Sequence, residues 1–99
     1  MKHQMIEAQV RNSLQGIQTA RQRIAAADAS ARAAKEKLDS EQRLYQTGES
    51  TNFLVLTRQN EYADSRRREV VARLDFNKSI SRLEQALGST LARHNVVLK

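Results

Sequence analysis

The sequence predicts an all-α fold, a long antiparallel two-helix coiled-coil hairpin with one tip loop. Three observations predict it. The 99 residues contain no Pro, Cys or Trp, three Gly, two Tyr and two Phe, and Ala, Arg, Gln, Glu, Leu and Lys fill most positions. That is the composition of long helices with a narrow apolar seam. Two segments repeat apolar or small residues in sevens, and between them stands a single glycine, Gly48, followed by hydroxyl and amide side chains.

In the first segment, counting in sevens from Val10 gives Val10, Ile17, Ile24, Ala31, Leu38 and Tyr45. Three residues further on in each heptad come Ser13, Ala20, Ala27, Ala34 and Glu41. This is a sustained a/d pattern with small residues at d, which lets a partner helix approach closely. Leu14 widens the stripe, and Gly16 beside it costs about 1 kcal/mol of helix propensity. The first helix is expected over 5–46.

Gly48 follows Tyr45-Gln46-Thr47 at the place where a left-handed residue ends a helix. Ser50, Thr51 and Asn52 are three candidate N-caps for the next helix, each with an oxygen able to accept from an orphan amide. The tip loop is therefore expected over 47–52. So short a connection forces long helices antiparallel.

The second segment, expected to be helical over 53–87, repeats Leu56, Ala63, Val70 and Asn77, flanked by Phe53, Leu74, Ile80, Leu83 and Leu87. A stripe this broad suggests packing on more than one neighbour, as in a barrel of helices. After Gly88, residues 88–99 are expected as a C-terminal tail, with Ser89-Thr90 able to cap one more turn. The whole of 1–99 then forms one hairpin of helices about 60 Å long. A seam alone is a weak source of stability in a small scaffold without disulfides or metals, so dimerisation or trimerisation through the second apolar face is expected.

Seventeen Lys and Arg against eleven Asp and Glu give a net charge of +6, which raises the question of an acidic partner. No apolar run approaches the ~20 residues of a membrane-crossing helix. Nor is Met1-Lys2-His3-Gln4-Met5 followed by a signal-peptide apolar stretch, so an export signal of a longer parent would lie outside these residues.

The tip, Leu44-Tyr45-Gln46-Thr47-Gly48-Glu49-Ser50-Thr51-Asn52-Phe53-Leu54-Val55-Leu56, resembles that of the TolC-like outer-membrane efflux proteins: an aromatic, two residues, Gly, a Ser/Thr turn, then Val-Leu. The resemblance continues through Gln59, Tyr62, Asp75-Phe76 and Leu83-Glu84-Gln85-Ala86-Leu87-Gly88, and on to Thr90-Leu91-Ala92-Arg93-His94, covering about 10–94. Members of that family are trimers with a β-barrel in the outer membrane and an α-helical tunnel across the periplasm, two helical hairpins coming from each subunit. The resemblance implies the C-terminal hairpin, a periplasmic part of the tunnel wall. It also implies that Thr47, Gly48, Glu49, Ser50 and Thr51 dock a periplasmic adaptor (membrane fusion) protein. Some members carry aspartates where Leu54 and Thr57 stand here, forming acidic rings at the tunnel entrance. Closure of this tip would instead use Phe53, Leu54, Leu56 and Thr57, or pairs such as Glu61 with Arg58.

Plainer readings stand beside these. The loop is otherwise a bare turn, and a helix C-cap alone accounts for Gly48. Arg66-Arg67-Arg68, with Arg58 and Arg73, resembles a phosphate-binding stripe, which would make the chain a free-standing basic hairpin on nucleic acid or an anionic surface. Three consecutive side chains cannot face one groove, however, and Glu61, Asp64, Glu69 and Asp75 are interspersed, so a salt-bridged face is the better account and no nucleic acid is expected. Asn77 either fixes register in the seam or sits at its edge. His3 and His94 have no ligand-like companions, so neither metal nor cofactor is expected. No nucleophile, phosphate loop or enclosed carboxylate pair is present either, and two rods have no cleft for catalysis.

Overall fold

The computed structural model describes the backbone of residues 2–98 and the side chains of 5, 7–89, 91 and 92. Two helices, α1 (Lys2–Gln46) and α2 (Asn52–Leu98), are joined by residues 47–51, with no strand among the described residues. The fold is the all-α hairpin. The chain divides into two units, one of Met1–Gln22 with Arg73–Lys99 and one of Arg23–Ala72. No helix of the described residues is long and apolar enough to cross a membrane.

The unit Arg23–Ala72 contains the loop. Lys35 Nζ lies 5.6 Å from the centre of the Tyr62 ring, and Arg58 Nε stands 3.4 Å from Glu41 Oε1. Six residues forward on α1 thus match four backward on α2, which is antiparallel packing. On α1 the buried side chains are Ala31, Ala34, Leu38 and Glu41, with Ile24 and Ala27 half-buried. That is the heptad stripe read from the sequence. Tyr45, its last expected member, is 48% exposed, beyond the point where α2 covers α1.

The covered face of α2 is a different one. Val55, Ser65 and Ala72 are buried and Arg58, Tyr62 and Glu69 half-buried, a three-four spacing in which every a position lies one residue before the series expected. Leu56, Ala63 and Val70 are exposed, Leu56 by 50% and Val70 by 59%. The inner face is polar because its polar groups find partners. Ser65 donates to the Glu61 carbonyl four residues back at 3.0 Å, Glu69 accepts from Arg66 at 3.2 Å, and no buried side-chain polar atom among the described residues lacks a partner. A hydroxyl satisfied within its own helix adds little desolvation cost to a thin seam.

In the unit of the chain ends, Val10, Ser13 and Ile17 are half-buried and Ala20 buried. On α2 the half-buried residues include Phe76, Ser79, Leu83 and Ala86, again at three-four spacing. Asn77 is exposed, so it lies outside the seam and fixes no register. α2 passes through Gly88 and continues to Leu98, where a tail was expected. Gly88 lacks the positive φ of a helix stop, which among the glycines only Gly48 has. A glycine inside a helix costs about 1 kcal/mol and by itself ends nothing. The side chains of His3 and His94 lie outside those described.

Candidate functional site: the tip loop

The loop is closed at both ends by backbone capping. At the end of α1, Gly48 N donates to the Tyr45 carbonyl at 3.1 Å and Glu49 N to the Leu44 carbonyl at 2.8 Å, with Gly48 at φ 80°. This pair of bonds is the Schellman motif, and its left-handed residue is the reason a glycine stands there. Thr47 Oγ1 donates to the Leu44 carbonyl at 3.0 Å and lies 3.3 Å from Glu49 Oε2. At the start of α2, Leu54 N donates to Thr51 Oγ1 at 3.2 Å and Val55 N to the Thr51 carbonyl at 3.2 Å. Of the three candidate caps, Thr51 is the one used.

Beneath the loop sits Glu41, a carboxylate at a d position of the seam and 9% exposed. Ser50 Oγ donates to its Oε2 at 2.6 Å and Arg58 Nε to its Oε1 at 3.4 Å. Arg58 Nη1 also donates to both oxygens of Glu61, at 3.2 and 3.1 Å. The Arg58 pKa is raised, first by the hydrogen bond and charge of Glu61 and then by Glu41, against an opposing desolvation. One seam carboxylate therefore ties the loop, through Ser50, and the first turns of α2, through Arg58, to α1. A carboxylate in an apolar seam is costly unless hydrogen-bond donors reach it, and two do, the Ser50 hydroxyl and the charged Arg58.

The expected docking residues fall into two groups. Thr47, Gly48, Glu49 and Thr51 are exposed. Ser50 is half-buried with its hydroxyl turned to Glu41, so it positions the loop and is not presented by it. Of the expected closure residues, Phe53 is 75% exposed, and Leu54 and Leu56 are exposed too. Thr57 is half-buried and donates to the Phe53 carbonyl at 2.9 Å. The Arg58–Glu61 pair is present, within α2 itself.

Glu41 carries the geometry of the tip without having been singled out for a role from the sequence. Its signal was its place, a carboxylate in an apolar heptad less than two turns before the loop. The arginine run is largely tied up locally, Arg66 to Glu69 and Arg67 to Asp64, each three residues apart on α2. Among the described residues no three of His, Cys, Asp and Glu group as a metal site. No family model matches the chain, and no curated protein or solved structure matches it.

Proposed function

We propose that the hairpin is a periplasmic wall segment of a TolC-like outer-membrane efflux duct, trimeric in its parent, and that its tip docks a periplasmic adaptor (membrane fusion) protein. The observation that carries this reading is the loop held from within. Ser50 and Arg58 converge on Glu41 beneath it, while Thr47, Gly48, Glu49 and Thr51 face solvent above. A turn fixed in one conformation loses little entropy on binding, and a glycine at its apex lets a partner backbone come close. The motif spacing around Gly48 and the second, outward apolar stripe of α2 support the family and the wall role respectively.

The test is binding of the 99-residue chain to the hairpin tip of candidate periplasmic adaptors at physiological salt, with Gly48→Leu and Glu49→Arg variants checked for unchanged helicity. Salt-tolerant binding lost in both variants supports the docking tip. Absence of binding to any adaptor, with salt-sensitive retention on DNA, contradicts it and favours the basic hairpin.

A further inference from the structure

In the unit of Met1–Gln22 with Arg73–Lys99, a groove of about 390 Å³ lies between the helices, and its polar lining is Gln9, Asn12 and Ser13 of α1 with Arg82, Gln85 and Ser89 of α2. On each helix these residues stand three and four apart, so each set shares one face. All six side chains can donate a hydrogen bond and none is a carboxylate. Arg82 has no ionic partner among the described residues. Glu84, two residues on, falls on nearly the opposite face of α2, and Asp75 stands about two turns back with Lys78 between. The surroundings carry the same sign as Arg82. This unit holds eight Lys and Arg against three Asp and Glu, five of the chain's six net positive charges, whereas the unit Arg23–Ala72 holds nine against eight. In the latter, Arg58, Arg66 and Arg67 are each answered by a carboxylate.

We infer that this groove binds a phosphate group, Arg82 meeting its charge and the amides of Gln9, Asn12 and Gln85 with the hydroxyls of Ser13 and Ser89 meeting its remaining oxygens. The donor set selects the class. A carboxylate presents two oxygens that one guanidinium fork satisfies, whereas a phosphate presents oxygens in several directions and suits donors arriving from two helices. A neutral ligand would leave the Arg82 charge unanswered. The volume is at the small end for a ligand cleft, about 300–1,000 Å³, and suits a soluble phosphate ester or the headgroup of a phospholipid, which present the same group. Gly16 continues the α1 row one turn past Asn12, and a Cβ added there meets nothing within 4 Å, so no side chain closes the row at that point. The inference goes beyond the docking reading and shares no residue with the tip.

The test is titration of the full chain with inorganic phosphate and with glycerol phosphate at constant ionic strength, followed by NMR at the side-chain amides of Gln9, Asn12 and Gln85. Flotation with phosphatidylcholine vesicles, with and without phosphatidylglycerol, runs beside it, and circular dichroism reports helicity. Arg82→Gln is expected to weaken binding at least about tenfold. Arg11→Gln removes the same charge from an exposed position of the same unit outside the groove and is expected to change it less than about twofold. Shifts of those amides with the soluble phosphates support a soluble ester as the source. Flotation that needs phosphatidylglycerol, with the same ranking of variants and no shift from soluble phosphate, supports the headgroup. No shift and no such flotation, equal losses from the two arginine variants, or tighter binding of duplex DNA that both variants weaken alike overturns the inference. If Arg82→Gln loses helicity, Asn12→Asp, which sets a carboxylate in the groove, replaces it and is read the same way. Adaptor binding measured on the same variants separates this result from the docking reading, which neither substitution touches.

Discussion

Replacing Glu41 by alanine removes the acceptor that both Ser50 and Arg58 use, and the cost can be worked from the geometry. The Ser50 bond is short, 2.6 Å, and made to a carboxylate that is 9% exposed. Hydrogen bonds to charged groups contribute about 1.5–3 kcal/mol, and the half-buried Ser50 places this one near the lower end. Arg58 keeps Glu61, and its bond to Glu41 is longer, 3.4 Å, with the arginine side chain 32% exposed, so its loss adds little to that of the Ser50 bond. The total is about 2 kcal/mol, which in a chain of this size lowers Tm by roughly 8–16 °C. Thermal melting followed by circular dichroism at one fixed protein concentration reads it. Ser50→Ala should lose much of the same energy, and the double variant should cost clearly less than the sum of the singles, because both remove one bond. A Glu41→Ala shift below about 2 °C, or strict additivity of the two substitutions, refutes the clasp.

Three further outcomes follow from the fold. Gly48→Ala, at φ 80°, should destabilise by about 1–2 kcal/mol, whereas Gly16→Ala and Gly88→Ala, inside helices with nothing within 4 Å of an added Cβ, should stabilise by roughly 0.8–1 kcal/mol each; equilibrium urea unfolding separates the signs. Thr51→Ala should cost about 1 kcal/mol in the same assay and Thr51→Ser very little, since serine caps as well. Leu56→Gln should leave hairpin stability within about 0.5 kcal/mol when measured at a concentration where the chain is monomeric, while Leu38→Ala, in the inner seam, should cost about 2 kcal/mol.

The two helices were unequally legible. The inner face of α1 could be read because its a positions, Val10 to Leu38, are apolar or alanine, so counting apolar residues and finding the covered face were the same operation. On α2 they were different operations. The covered positions include Arg58, Tyr62, Ser65 and Glu69, while Leu56 and Val70 point outward, so a count of apolar residues finds the outer stripe first. Period alone cannot say which of two seams faces the partner, because a heptad series displaced by one residue keeps its period while turning about 100° around the helix. The tip was legible where backbone chemistry fixes it, at Gly48 and within the group of caps that includes Thr51. It was obscured at Ser50, whose role depends on a carboxylate nine residues earlier in the chain. The end of α2 was misplaced because Gly88 looks like a stop in sequence, yet its backbone stays helical.

The central claim, that the tip is a docking surface, is tested most directly by site-specific cross-linking. The chain contains no cysteine, so a single Glu49→Cys at the exposed tip and a single Arg32→Cys on the exposed side of α1 can each carry the same short photo-reactive label without interference. With a periplasmic adaptor hairpin at physiological salt, the label at 49 is predicted to join the adaptor's tip and the label at 32 to join nothing of it. Equal yields from both positions, or no adduct from position 49 with any adaptor tested, would contradict the account.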